Sequence, residues 1–390
     1  MSTLNPEKHK EEARVVAPYF FQYYNKFLER IKEFIPEVSR WSIPDYLFPD
    51  GTPSFHVEPE TGMRVDLKKL PRPTIVPMWY LPSDDATTSA IVKVGNALTH
   101  TEKGRRKPLS KKVVALCPYA MLRQDGDSID PADKQIRSIG QAVYSEIFAN
   151  LIKDYYSDLV ILDPHSDKAM EYQKIPHISL TATPLFVDWF LKKYSDVELK
   201  KKVKIVSLDK GSLQRCQKFA ELAGLDETQI IVLDKKRNGH KLTGTDFLYG
   251  DPKGFDIIIF DDMIDTFGSM EKTCEILKEK GCKDITVMAT HGVLSYPARN
   301  NIKKAIKKGV IKNVVITNSL PQADYGLDGI GNVTILDIVP LMVSFAELVI
   351  DSSIADILNN YDKRVSQYIM EPKDKEKVWK HFAKNVGLSF

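Results

Sequence analysis

From residue 113 to residue 319 the chain alternates between short β-branched apolar runs and longer stretches with helical periodicity. VVALCPYA (113–120) is strand-like, QAVYSEIFANLIKDYY (141–156) helical, and DLVILD (158–163) a strand. TPLFVDWFLKKY and SLQRCQKFAELAGL then read as helices around the strand VKIVSLD, followed by QIIVLD. The strands DITVMATHG and NVVITNS, separated by a Lys-rich helix, complete the pattern. Strands joined by helices rather than tight turns are linked by crossovers and lie parallel, with the helices covering the sheet. In such sheets ligands bind beyond the carboxyl ends of the strands. Nearly every polar residue of interest in this chain falls at such an end.

At 390 residues the chain is long for one core, so two domains are expected. The boundaries drawn are a helix-patterned N-terminal extension (1–40), a first domain (41–175), a second (176–345) and a C-terminal helix and tail (346–390). Residues 49–82 are Pro-rich and read as strands and loops. The basic stretch THTEKGRRKPLSKK reads as an exposed connection. No internal repeat is visible. A net charge of +3, with its basic residues scattered, argues against nucleic acid as a partner. Cys117, Cys216, Cys274 and Cys282 lack metal or disulfide-framework spacing, which points to a reducing compartment. The first residues lack a signal peptide's apolar core, and VTILDIVPLMVSFAELVI is broken by Asp337, Pro340 and Glu347, so it reads as core. No membrane partner and a cytoplasmic location are expected.

The stretch FDIIIFDDMIDTFGSMEKTCEILKEKG (255–281) reads as a buried strand, a tight loop and an amphipathic helix from about Met270. A helix start offers unpaired N–H groups and the positive end of a dipole, which suit a phosphate. Three carboxylates (Asp261, Asp262 and Asp265) would repel one. A sugar phosphate resolves the conflict: amides of Thr266, Phe267, Gly268 and Ser269 take the phosphate while Asp261 and Asp262 accept hydrogen bonds from vicinal hydroxyls. The bland reading is helix capping, which also favours Asp, Thr and Ser. Two adjacent acids at a strand end followed by D-T-x-G-S favour the ligand.

Other polar groups sit at neighbouring strand ends. His165 follows DLVILD and Asp209 ends VKIVSLD; they could share a Mg²⁺ that also binds phosphate oxygens, or His165 is structural. KKRNGHKLTG is either a solvated loop or a mobile arm whose Lys235 and Arg237 neutralise charge on a polyphosphate. Arg123 and Gln124, in YAMLRQDGD, form a polar pair suited to phosphate or to stacking on a base. There is no Walker A sequence, and the G-x-G at Gly329 and Gly331 lacks its third glycine.

In this order the residues resemble the ribose-phosphate pyrophosphokinase (phosphoribosyl pyrophosphate synthetase) family from about Phe48 to Val365. FDDMIDTFGS is similar to the family's ribose-5-phosphate loop D-D-M-x-D-T-x-G-T, a loop also found in type I phosphoribosyltransferases. YAMLRQD resembles the ATP-contacting Y-x-R-Q-D, and DPHS resembles D-L-H-A with its metal-site histidine. SLDKGSLQR resembles P-D-x-G-x-x-x-R, which picks out Asp209 and Arg215. LDKKRNG lines up with the catalytic K-x-R loop, ATHGVLS with T-H-G-x-F-S, and TNSLPQ with T-N-T-I-P. FPDG, with Phe48 and Asp50, resembles an element that contacts ATP across a subunit boundary. Thr52, Leu208 and the Lys210-Gly211 pair depart from the family's pattern.

The resemblance implies two phosphoribosyltransferase-like (Rossmann-like) α/β domains with parallel sheets flanked by helices, and a site between them completed by a neighbouring subunit of a homo-oligomer. It implies Mg²⁺ as cofactor, ATP and ribose 5-phosphate as substrates, and diphosphoryl transfer as the reaction. It also implies little activation by free phosphate, because Asp167 falls where a hydroxyl residue is often found. The alternatives are a catalytically silent regulatory subunit of the family and a phosphoribosyltransferase. Retention of Lys235 and Arg237 weighs against the first; chain length, FPDG and R-Q-D weigh against the second.

Overall fold

The computed structural model describes residues 14–18, 25–35, 38–42, 56–57, 72–81, 85–100, 108–122, 143–238, 241–321, 327, 332–360, 363–370 and 375–386. The chain forms two compact units, 1–180 with 339–369, and 181–338 with 370–390. Each unit therefore takes back a piece of the C-terminal region, where the sequence suggested four contiguous segments.

The first unit contains, in chain order, β1 (Arg14–Pro18), α1 (Asn25–Lys32), β2 (Val38–Ser42), β3 (His56–Val57), β4 (Arg72–Tyr80), α2 (Asp85–Thr99), β5 (Ser110–Ala120), α3 (Tyr144–Ile152), β6 (Asp158–Leu162), α4 (Asp167–Met170) and β7 (His177–Leu180). Its sheet has the order β3-β2-β1-β4-β5-β6-β7, parallel except for β3 against β2. Among the described residues of the N-terminal region, 25–32 are helical and 14–18 are not. Residues 14–18 (RVVAP) form a strand within the sheet, because short β-branched runs gain more from a neighbouring strand than from an isolated helical turn. Pro73 and Pro77 both lie in β4, and the register against β5 shifts at each of them, where a missing N–H breaks the ladder.

The second unit contains α5 (Thr183–Lys193), α6 (Val197–Lys200), β8 (Val203–Ser207), α7 (Leu213–Ala223), β9 (Ile230–Asn238), β10 (Lys241–Tyr249), β11 (Asp256–Ile264), α8 (Gly268–Glu279), β12 (Ile285–Gly292), α9 (Ala298–Lys307), β13 (Asn313–Thr317) and β14 (Val333–Leu336). Its sheet runs β10-β9-β8-β11-β12-β13-β14, antiparallel only between β10 and β9. That is the first sheet's order shifted by seven strands. The repeat that the sequence hides is a repeat of topology.

The remaining helices are α10 (Val339–Asp351), α11 (Ile354–Asn360), α12 (Lys363–Ser366) and α13 (Lys375–Asn385). The broken apolar stretch becomes β14 and the buried α10; among the described residues no helix is long and apolar enough to cross a membrane. In the second unit β11 is covered on both faces. Ile257 and Ile259 join the core with Met270, Cys274 and Leu277 of α8 and Ala298 and Ile302 of α9. On the other face Phe260 packs against Phe186 of α5 (5.1 Å between centroids) and Phe219 of α7 (5.3 Å). A strand buried on both faces reads as the unbroken apolar run seen in the sequence.

Candidate sugar-phosphate site at the strand switch of the second unit

In the order 10-9-8-11-12-13-14 the chain direction of assembly reverses between β8 and β11, which is where doubly wound sheets open a crevice. The register shows the opening. β11 pairs with β8 only as far as Ile259, opposite Val206, but stays with β12 to Ile264, opposite Gly292. The five residues from Phe260 to Ile264 therefore project past the last rung with β8.

The strand extends further than the sequence suggested and takes Asp261 and Asp262 with it. Strand side chains alternate, so the two carboxylates cannot face the same way. Asp262 shares the Phe260 side and meets Arg215 of α7, Nη1 to Oδ1 at 3.6 Å, both side chains being buried. Asp261 is half-buried, and its Oδ1 accepts the Asp262 N–H at 3.0 Å. Beneath them the Cys216 thiol is pushed up to about 12, chiefly by burial and further by the Asp261 charge, so it stays protonated and inert.

Only Asp265, Thr266 and Phe267 separate β11 from α8. Phe267 takes φ = 66°, in the left-handed region, and its ring is buried with Ile264, Met270, Leu294 and Ala298. The apolar anchor holds a conformation that a phenylalanine otherwise avoids. Helix α8 consequently begins at Gly268, two residues before the expected start. Its first turn presents the N–H groups of Gly268, Ser269 and Met270, which have no partner four residues back, while Glu271 N–H already donates to Phe267 O at 2.8 Å. Two contacts from the next strand-helix unit fix the loop: Leu294 N–H to Ile264 O (2.9 Å) and Asn301 Nδ2–H to Thr266 O (3.1 Å). Asp265 is half-buried, Ser269 is half-buried and Thr266 is exposed.

Across the crevice, Asp209 follows β8. Its Oδ1 accepts the Ser212 N–H at 2.9 Å, and Ser207 Oγ donates to Asp209 O at 2.7 Å. A carboxylate offers two oxygens, so one engaged with the turn leaves donor capacity for a hydrated Mg²⁺ held mainly by waters and substrate phosphates. Asp209 fits such an ion. His165, exposed after β6, belongs to the first unit. Among the described residues no group of three or more His, Cys, Asp or Glu converges as a metal cage. Asp167 begins α4, half-buried.

The basic stretch carrying Lys235 and Arg237 is strand rather than loop. Both lie on β9, paired with Thr245 and Leu242 of β10 in a hairpin. Arg123, Gln124, Phe48 and Asp50 lie outside the described residues. Sequence reasoning missed Asn301, and it matched ATHGVLS and TNSLPQ without seeing why they go together. His291 Nδ1 lies 3.0 Å from Ser319 Oγ, and Thr317 Oγ1 donates to Thr290 O at 2.7 Å, so the two segments brace each other at adjoining strand ends.

The duplicated open sheet with an acid-rich loop entering a helix at the switch point defines a phosphoribosyltransferase-like α/β protein. The Phosphoribosyl synthetase-associated domain matches residues 246–347. Ribose-phosphate pyrophosphokinase of Clostridium acetobutylicum is 30% identical over 241 residues, 61% of this chain and 68% of that protein. The chloroplastic ribose-phosphate pyrophosphokinase 2 of Arabidopsis thaliana is 30% identical over 220 residues, 56% of this chain and 51% of that one. The chain thus spans about half the length of the plant relatives it matches. The crystal structure of phosphoribosylpyrophosphate synthetase from Mycobacterium smegmatis matches with a TM-score of 0.65 at 22% identity, covering 87% of this chain and 99% of that one, a likeness of fold. The chain belongs to the ribose-phosphate pyrophosphokinase family.

Proposed function

We propose that this protein transfers the diphosphoryl group of ATP to the C1 hydroxyl of ribose 5-phosphate, giving 5-phosphoribosyl 1-pyrophosphate and AMP. The observation that carries the reading is the split between β8 and β11, with an acid-bearing strand end on one side and the open first turn of α8 at its base. The family relationship supports the same reaction class.

In this reading the 5-phosphate sits on the amides of Gly268, Ser269 and Met270, with the Thr266 and Ser269 hydroxyls as further donors. Asp261 and Asp265 accept from the ribose hydroxyls. Asp262, ion-paired with Arg215, keeps the strand end in register beneath them. These contacts fix the sugar so that C1 faces the incoming nucleotide, and positioning of this kind accounts for much of the rate. The C1 hydroxyl oxygen then bonds to the β-phosphorus and gives up its proton to water, while the bond from that phosphorus to the α-phosphate oxygen breaks and AMP leaves. Lys235 and Arg237 stabilise the charge that spreads over the phosphoryl oxygens. Arg123, Gln124 and, from a neighbouring subunit, Phe48 and Asp50 hold ATP. Asp209 would hold Mg²⁺, with His165 a further ligand that the sequence resemblance alone suggests; the ion would supply charge neutralisation on the phosphates.

The test is release of AMP from ATP and ribose 5-phosphate with Mg²⁺, by the wild type and by Lys235→Ala. A charge acting in the transition state lowers kcat more than it raises KM, so Lys235→Ala should lose about 100-fold or more in kcat with a modest change in KM. No AMP release by the wild type would leave the silent-subunit reading standing instead.

A further inference from the structure

The C-terminal helix α13 lies beyond the stretch that resembles the family, yet it belongs to the second unit and reaches its site-bearing loops. Trp379 and Phe382 are three residues apart, on one face of α13, with their rings 6.0 Å apart. The Lys210 ammonium lies over the Trp379 ring, 4.7 Å from its centroid. Lys210 directly follows Asp209 in the loop from β8 to α7. Phe382 is fully buried and packs edge-on against Tyr249, the last residue of β10, at 5.5 Å. Asn385 Nδ2 donates to Glu227 Oε2 at 3.0 Å, in the turn that leads into β9. One helix thus touches the loop on the β8 side of the crevice and the base of the hairpin that carries Lys235 and Arg237.

We propose that Trp379 is a positioning residue for Lys210, and that α13 is a strut holding the 209–212 loop and the β9–β10 hairpin in one arrangement for an incoming polyphosphate. An exposed lysine side chain samples many rotamers; a ring face beneath its ammonium confines it without neutralising it. A charge held near Asp209 would then be available to a polyphosphate bound at that end of β8. This inference deepens the diphosphoryl-transfer reading and rests on it for the identity of the polyphosphate.

The experiment uses the full chain as wild type, Trp379→Ala, Trp379→Phe, Lys210→Ala and the Lys210→Ala/Trp379→Ala double variant. Loss of a cation–π contact at an exposed site should raise the apparent KM for ATP by about 2- to 5-fold with kcat nearly constant. Trp379→Phe should restore most of it, and Trp379→Ala should add nothing in the Lys210→Ala background. Independent effects that multiply in the double variant, or an unchanged KM in Trp379→Ala, would overturn the proposal. A second readout needs no substrate. Amine-reactive labelling of Lys210, followed by mass spectrometry, should quicken in Trp379→Ala and not in Trp379→Phe, whereas hydrogen exchange in residues 230–249 should rise in Phe382→Leu, which loosens the contact with Tyr249. Unchanged labelling and exchange would sink the strut even if the enzyme is active. If the wild type releases no AMP, the reaction reading falls while these measurements still decide the strut.

Discussion

Two adjacent aspartates in the sequence looked like a matched pair, and the structure gives them different neighbours. Strand alternation sends Asp262 toward α7, where Arg215 meets it 3.6 Å away, and leaves Asp261 half-buried on the opposite side. Arg215 came forward only through its spacing after Asp209; nothing local says that a residue 47 positions later in the chain would neutralise it. A buried pair is costly to halve, since the remaining charge stays in a dry place. Asp262→Ala should lose about 3–5 kcal/mol of stability, read by chemical denaturation, whereas Arg215→Met combined with Asp262→Leu should recover most of that. A single variant as stable as the wild type would show that water reaches the pair. Cys216 lies beside them and contributes no chemistry, because burial keeps its thiol protonated.

Among the elements, the β11–α8 turn was the most legible and the hairpin the least. D-T-x-G-S announced a loop into a helix, but the left-handed φ of Phe267 was invisible, since glycine or asparagine ordinarily takes that place. Its side chain supplies the explanation, being buried in the core under the loop. Removing the ring costs about 3–5 kcal/mol whichever small residue replaces it. The backbone then decides the order: Phe267→Gly should be about 1 kcal/mol more stable than Phe267→Ala, the reverse of the usual ranking, as measured by thermal or urea unfolding. An alanine variant equal to or better than glycine would mean the turn relaxes when the anchor is lost. The stretch KKRNGHKLTG was read as a loop or arm for its charge, although Asn-Gly between two runs is a strong hairpin signal. Its polar composition concealed the pairing of Lys235 with Thr245 and of Arg237 with Leu242.

At the scale of the molecule the notable fact is duplication of the strand order, 3-2-1-4-5-6-7 in one unit and the same pattern seven strands later in the other. Two copies of one topology need not share residues, because many apolar sets satisfy the same alternation of buried strand and covering helix. The C-terminal region is divided between them, α10 packing with the first unit and α13 with the second. The proposed sharing of the ATP site between chains belongs to this scale. Phe48→Ala and Lys235→Ala are each expected to be nearly inactive alone. Mixed under conditions that exchange subunits, they should recover up to about a quarter of wild-type turnover, since some sites then draw both intact residues from different chains. An active protein that sediments as a strict monomer would contradict the shared site.

The sequence by itself determined the α/β class, most element positions from residue 143 to residue 317, and the acid-rich turn from strand into helix. All of these rest on interactions within a few residues: period-two burial, helical periodicity and the chemistry of a helix start. Only the tertiary structure decided that residues 14–18 complete a sheet, that β11 parts from β8 at Ile259, that Asp262 answers to Arg215, and that α13 returns to Lys210. Each of those is a contact between segments far apart in the chain. Its energy depends on what a distant strand or helix presents at the same place, and no window of sequence contains both partners.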